Sequence, residues 1–305
     1  MPSAGDTRRQ VDEETERRSR LSVPAFAGGF LYLLSSIVIA STLSGAPTVG
    51  LLQGLGPAIS GVANPPVSPR AGEVKFISHK ALPLIAGSFL AAVAVIVLTL
   101  ILLLLLDAVR FRRPGTWPAA RPLVIGGGIA VALASLTHQI VSAIETHKFA
   151  VGHDLSSHAV DQALTKSAPN LIVAYLSLIA GLALAVGMIT VMVNVQRVGL
   201  LPRWMGFLGM FTALLIVLPL GGAQLQVVPA FWLVMMGIMN AQRWPGGDPP
   251  AWTAGEARPW PSRAQVRAER EGGDPGTRAR AAAPAPAATP AKASSRKRRK
   301  RGGRR

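Results

Sequence analysis

Long apolar stretches separated by short charged clusters dominate the chain between residues 23 and 244. A helix of about 20 apolar residues, rising 1.5 Å per residue, crosses a hydrocarbon core of about 30 Å. Six stretches reach or approach this length. They cover residues 24–45, 81–106, 123–145, 171–195, 204–218 and 227–241. The pattern therefore predicts about six transmembrane helices, of which the last two are short enough to leave open whether they cross fully.

The same pattern predicts the fold class. Backbone polar groups inside lipid need partners within their own segment, which favours a helix in every span. A transmembrane barrel would show apolar and polar residues alternating in stretches of about ten, and this chain does not. We expect an all-α, polytopic membrane protein with a polar tail at 1–22, a helical membrane domain at 23–244 and a carboxyl-terminal tail at 245–305. The short glycine-rich apolar stretch at 48–63 is interpreted as interfacial or partly re-entrant.

Lysine and arginine are unevenly distributed between the two sides of the predicted bundle. The tails and alternate connections on one side hold 27 of them, and the connections on the other side hold five. Short loops rich in these residues stay in the cytoplasm. Both termini are therefore predicted to be cytoplasmic, in a multi-pass protein of the bacterial inner membrane. The first 22 residues are polar and acid-rich, unlike a cleavable signal peptide.

The carboxyl-terminal tail has a different composition, dominated by proline, alanine, glycine and arginine, which predicts disorder. Its last twelve residues contain eight basic ones: Arg296, Lys297, Arg298, Arg299, Lys300, Arg301, Arg304 and Arg305. Each basic residue near an anionic membrane surface contributes about 1 kcal/mol. We expect contact with anionic lipid headgroups; contact with the ribosome or other RNA and a plain topological anchor are the alternatives. Confinement to a membrane argues against DNA.

The clearest local motif is GLLPRWMGFLG, residues 199–209, at the start of the fifth predicted span. Pro202 suits the first turn of a helix, and Arg203 and Trp204 suit the membrane interface. The glycines at 206 and 209 permit close helix approach. G-x-L-P-R-W-x-G at a late span resembles an actinobacterial-type family of bacterial multi-span integral membrane proteins of unknown function. The resemblance implies a helical membrane domain, without an activity or site residues.

Ionisable and polar residues inside the third predicted span are the first candidate for chemistry. His138 and Gln139 lie about two-thirds of the way along it, and Glu145 follows His138 by two helical turns on nearly the same face. An ionisable residue within a span indicates a functional site by default. One hypothesis is therefore a transporter or channel-like protein with a proton- or cation-linked path through His138 and Glu145. The alternative is a neutral imidazole that bonds a neighbouring helix.

A second candidate is the loop after that span, which holds His147, His153, Asp154 and His158. Asp154 and His158 would share one face of a short helix and could bind zinc or copper there, which would make the chain a metal-handling membrane protein or a membrane enzyme. The alternative is a solvated amphipathic loop helix. Cysteine is absent, which excludes disulfides and thiolate-ligated metals. Because no established catalytic motif occurs, the sequence favours a non-enzymatic protein without a cofactor, and it does not indicate an oligomeric state.

Overall fold

The computed structural model describes residues 4–50, 59, 61, 67–218, 226–245 and 247–260, and their regular structure is helical throughout. The helices are α1 (Ala4–Leu43), α2 (Ala71–His79), α3 (Ala81–Arg112), α4 (Ala120–Val151), α5 (Ser157–Asp161), α6 (Ala168–Val198), α7 (Arg203–Val217), α8 (Val227–Asn240) and α9 (Pro250–Ala254). A π-helical turn, Gln162–Lys166, follows α5. The prediction of an all-helical fold is confirmed for the described residues.

Four helices, α1, α3, α4 and α6, are long and apolar enough to cross a membrane, which indicates a membrane protein. The two shorter apolar helices, α7 and α8, have 15 and 14 residues and so extend about 22 Å each. Each of the six predicted segments overlaps one of these six helices, and the number of membrane crossings stays a prediction. Most of the stretch 48–63, predicted to be interfacial or re-entrant, lies outside the described residues.

Helix α1 begins about 20 residues earlier than its apolar pattern indicates. The polar segment before Pro24 is rich in arginine and glutamate, which favour helix. Pairs one turn apart add to this: Arg9 lies 3.4 Å from Glu13, and Arg20 lies 2.6 Å from Glu16. Pro24 lies inside the helix rather than in its first turn. Much of the tail predicted at 1–22 is therefore a helical extension of the first span.

Glycine residues allow the long helices to pack closely against one another. In the antiparallel pair α1 and α3, a Cβ on Gly28 would lie 2.8 Å from a methyl carbon of Val97. In the antiparallel pair α4 and α6, a Cβ on Gly127 would lie 2.5 Å from the backbone nitrogen of Leu184. Only a residue without a side chain allows backbones this close, and close packing is what holds helices together in lipid.

The helix bundle has two ends, named here the basic face and the loop face. At the basic face, Glu14 of α1 meets Arg112 of α3, and Arg121 of α4 meets Asp107 of α3. The loop face carries α2, α5 and the π-helical turn around a small apolar cluster of Ala71, Val74, Phe149, Val160 and Ala163. The basic face holds the ion pair between the buried side chains of Glu14 and Arg112, and the candidate site lies there.

Candidate functional site

Residues 247–260, named here the docked segment, pack onto the basic face. The Arg258 backbone N–H donates to the Val198 carbonyl at 2.9 Å, and the Arg203 guanidinium donates to the Trp260 carbonyl at 3.2 Å. The folded unit therefore extends to Trp260. The composition pattern places the start of the disordered tail at residue 245, and the structure differs because the docked segment supplies a tryptophan that the basic face buries.

Trp252 is the buried residue that fixes the docked segment. Its indole is 3% exposed, and its Nε1–H donates to the Leu200 carbonyl at 2.9 Å. Two guanidinium groups lie over its ring: the Cζ of Arg18 is 4.3 Å and the Cζ of Arg112 is 5.4 Å from the ring centroid. Cation–π contacts of this kind stabilise by about 2 kcal/mol or more when desolvated. One tryptophan thus joins the docked segment to α1, to α3 and to the connection that follows α6.

The Arg112 side chain is fully buried and all of its donors have partners. It forms an ion pair with Glu14 at 2.8 Å between Nη2 and Oε2, and its Nη1 donates to Oε1 of the same carboxylate at 3.0 Å. Its Nε donates to the Ala251 carbonyl at 2.8 Å. A buried charge is tolerated only when it is paired and hydrogen-bonded. Arg112 therefore holds α1, α3 and the docked segment together.

The second buried guanidinium belongs to Arg18 on α1, one turn after Glu14. Its side chain is 1% exposed and forms an ion pair with Asp248 at 3.0 Å between Nη1 and Oδ2. Its Nη2 donates to the Met239 carbonyl at 2.7 Å, at the end of α8. Arg18, Arg112, Glu14, Asp248 and Trp252 form the arginine–tryptophan cluster. It ties together α1, α3, α8 and the docked segment.

The sequence motif at 199–209 forms part of this site. Gly199 ends α6 with a φ of 87°, a left-handed conformation that favours glycine. A Cβ there would also clash with the Arg258 carbonyl. Pro202 precedes the first residue of α7, as predicted, and Trp204 stacks on Trp244 at 5.9 Å between ring centroids. The motif therefore begins α7 and also contacts the docked segment, because Gly199 packs against the backbone of Arg258.

Sequence patterns missed the arginine–tryptophan cluster. Its members are separated by up to 238 positions, between Glu14 and Trp252, and the N-terminal charges resemble those of a solvated helix. One signal was present: PPAWTAG places a tryptophan in a segment otherwise made of small residues and proline. A bulky aromatic residue in such a segment indicates local burial.

The intramembrane candidates are not joined in the structure. His138 lies on an exposed face of α4 and, within the part of the chain that the structure describes, has no hydrogen-bond or ionic partner. Gln139 beside it is half-buried. Glu145 instead pairs with Lys148, at 2.7 Å between Oε1 and Nζ. The described geometry therefore supplies no polar path from His138 to Glu145.

The predicted metal loop is also spread out. His147, His153, Asp154 and His158 are exposed, and among the described residues no three histidine or carboxylate side chains are grouped closely enough to hold a metal. Asp154 lies before α5 rather than on it, so it does not share a helix face with His158. Its Oδ1 accepts from the Ser156 backbone N–H at 2.9 Å, and this bond lowers the pKa of the carboxyl.

The eight basic residues of the extreme carboxyl terminus lie outside the described residues. Comparisons with family models, with curated proteins and with solved structures find no match for this chain. The resemblance drawn from residues 199–209 therefore stays a prediction. The geometry of the basic face is accordingly the basis for any proposal about function.

Proposed function

We propose that this chain is a non-enzymatic, multi-pass protein of the bacterial inner membrane that presents a polybasic tail to anionic lipid headgroups. The observation that carries the proposal is the docked segment. It attaches residues 247–260 to the basic face, where the Arg203 guanidinium donates to the carbonyl of Trp260, the last described residue before the basic tail. The described chain therefore ends at the basic face.

The charge distribution supports the cytoplasmic side for this attachment. The basic face holds the arginine-rich ends of α1, α3 and α6, and the positive-inside rule assigns such an end to the cytoplasm. The described chain enters at the basic face through α1 and leaves it at Trp260. Six membrane crossings agree with this arrangement, with α7 and α8 as the last pair. The inner leaflet then offers its anionic lipids to the tail.

The magnitude of the electrostatic attraction favours contact between the tail and anionic lipid. Eight basic residues in the last twelve, at about 1 kcal/mol each, are enough to hold a tail against an anionic surface, and tethering removes most of the cost of bringing the two together. The interaction is electrostatic and depends on salt, because the Debye length falls from about 10 Å at 0.1 M to about 3 Å at 1 M.

The absence of cysteine makes a direct test simple. Ser295→Cys gives a single site for a fluorophore in the full-length chain, which is placed in nanodiscs that carry an acceptor lipid. We expect strong energy transfer when the nanodiscs contain phosphatidylglycerol, weak transfer in pure phosphatidylcholine, and loss of the difference at high salt. As a matched control, Thr253→Cys reports from the docked segment and should not respond to lipid charge.

Equal transfer in anionic and neutral nanodiscs would contradict the proposal. Addition of RNA provides a second arm. If RNA at low concentration removes the tail from phosphatidylglycerol and binds it more tightly, RNA rather than lipid is its partner.

A further inference from the structure

A cavity of about 310 Å³ lies at the basic face between α1 and α3, and it shares Glu14 with the arginine–tryptophan cluster. Its polar wall comes from Gln10, Arg17 and Arg20 of α1 and Asp107 of α3. Its apolar wall comes from Leu21 and Leu104. This volume is at the lower end of the range for ligand sites, about 300–1,000 Å³.

The height of the cavity places it across the membrane boundary. The first apolar stretch begins near residue 24 and the apolar run of α3 ends at Leu106, so Leu21 and Leu104 lie at the edge of the hydrocarbon region. Gln10 lies eleven residues before Leu21 on α1, about 16 Å further out along the helix axis. One end of the cavity therefore faces acyl chains, and the other faces the headgroup layer.

The charges around the cavity leave one cation uncompensated. Arg20 pairs with Glu16 at 2.6 Å, and Asp107 pairs with Arg121 at 3.3 Å. Glu14, which also borders the cavity, pairs with Arg112 at 2.8 Å. Within the described part of the chain, Arg17 has no ionic or hydrogen-bond partner. A ligand with a single negative charge would therefore balance the site.

We infer that this cavity binds one phospholipid with an anionic headgroup. Its phosphodiester accepts hydrogen bonds from the Arg17 guanidinium, and its acyl chains lie against Leu21 and Leu104. Arginine suits this role because its planar donors match two phosphate oxygens at once. The inference rests on the proposed membrane location but not on the tail, so the basic face would hold a bound lipid independently of residues 261–305.

The test titrates phosphatidylglycerol onto the full-length chain in detergent at high salt, which screens the tail, and counts bound lipid by native mass spectrometry. We expect one tightly retained lipid per chain. Arg17→Gln should weaken its binding about tenfold, the change expected when a hydrogen bond to a charged group is lost. Arg17→Lys should restore only part of the affinity, because an ammonium keeps the charge but cannot match two phosphate oxygens at once. Arg9→Gln is the matched control, because Arg9 is on the same helix, is exposed and pairs with Glu13.

Several outcomes would overturn the inference. Binding that is unchanged in Arg17→Gln, or equally weakened in Arg9→Gln, would remove Arg17 from the site. Equal retention of phosphatidylcholine would show a non-selective lipid contact, and competition by inorganic phosphate at the same concentration would show a site for free phosphate. A chain that lacks residues 261–305 should keep the lipid. Loss in that chain, with Arg17→Gln unaffected, would overturn the cavity site and leave the tail as the binder.

Discussion

The buried ion pair between Glu14 and Arg112 is the most consequential contact at the scale of single residues. Removing one partner from a buried pair leaves an uncompensated charge and costs about 3–5 kcal/mol, whereas replacing both by apolar groups costs far less. Arg112→Met should therefore lower the free energy of unfolding by about 3 kcal/mol or more. Adding Glu14→Leu should recover part of the loss, although Arg112 also donates to the Ala251 carbonyl.

A denaturing-detergent titration gives the free energy of unfolding of each variant. A double-mutant cycle over these values isolates the coupling energy between Glu14 and Arg112. Arg121→Met is the control, because its pair with Asp107 is about half exposed and such surface pairs contribute about 1 kcal/mol or less. If the losses in the two single variants simply add in the double variant, Glu14 and Arg112 do not stabilise each other and this account of the cluster is wrong.

Asp161, at the loop face, makes a contribution to stability that should depend on pH. Its hydrogen bond from the Lys166 ammonium, 2.7 Å long, lowers the pKa of the carboxyl below its ordinary 3.8. Because the folded-state pKa is depressed, the small contribution to stability is present above the ordinary pKa and is lost as the pH falls through the depressed one. Lys166→Met should raise the pKa of Asp161, as measured by carboxyl NMR titration. The pKa of Asp154, lowered by the Ser156 backbone, should not change; a shift at both residues would argue against a local cause.

At the scale of helices, two neighbouring glycines in α4 offer a matched comparison. A Cβ on Gly127 meets the backbone of Leu184 in α6, whereas a Cβ on Gly126 meets nothing within 4 Å. Overpacking of this kind costs about 1–3 kcal/mol. Gly127→Ala should therefore lower the midpoint of thermal unfolding, and Gly126→Ala should leave it unchanged or raise it slightly. Equal effects of the two substitutions would show that α4 and α6 do not pack as closely as described.

The attachment of the docked segment depends on the end of α6. Gly199→Ala introduces a Cβ where φ is 87° and where the Arg258 carbonyl leaves no space. The left-handed conformation alone costs about 1–2 kcal/mol for a residue with a Cβ. In a chain labelled only at Ala251→Cys, a position fully buried in the parent, we expect about tenfold faster maleimide reaction after Gly199→Ala. Gly115→Ala is the control, because a Cβ at that position meets nothing within 4 Å. An unchanged rate of maleimide reaction in Gly199→Ala would show that Gly199 does not hold the docked segment in place.

The length of the apolar stretches predicts well where the helices lie. It predicts poorly where each helix begins and ends and which residues it contacts. The six predicted segments overlap α1, α3, α4, α6, α7 and α8, because helix formation along an apolar stretch depends on local composition. Four of these helices are long and apolar enough to cross a membrane. The early start of α1 has local support from its arginine–glutamate pairs, and it also has partners far along the chain, because Glu14 and Arg18 pair with Arg112 and Asp248. Trp252 depends likewise on the end of α6. Long-range pairing of this kind has no local signature.

At the scale of the whole molecule, both described ends of the chain meet at the basic face. A Cβ on Gly255 of the docked segment would lie 2.7 Å from the Thr7 side chain near the start of α1. The two segments are about 250 positions apart in sequence. This meeting brings Trp260, the last described residue, to the same end of the bundle as the arginine-rich helix ends. The proposed function depends on it.

Cross-linking in native membranes tests this central claim most directly. The chain lacks cysteine, so the pair Thr7→Cys and Glu256→Cys provides its only thiols. Glu256 follows Gly255, whose close approach to Thr7 brings the two thiols within reach of a short bifunctional linker. We predict rapid intramolecular cross-linking, with reagent access from the cytoplasmic side in inverted vesicles. The pair Thr7→Cys and Gly152→Cys, on opposite faces, should not react. Absence of the first cross-link, or access to it only from the outer side, would contradict the account.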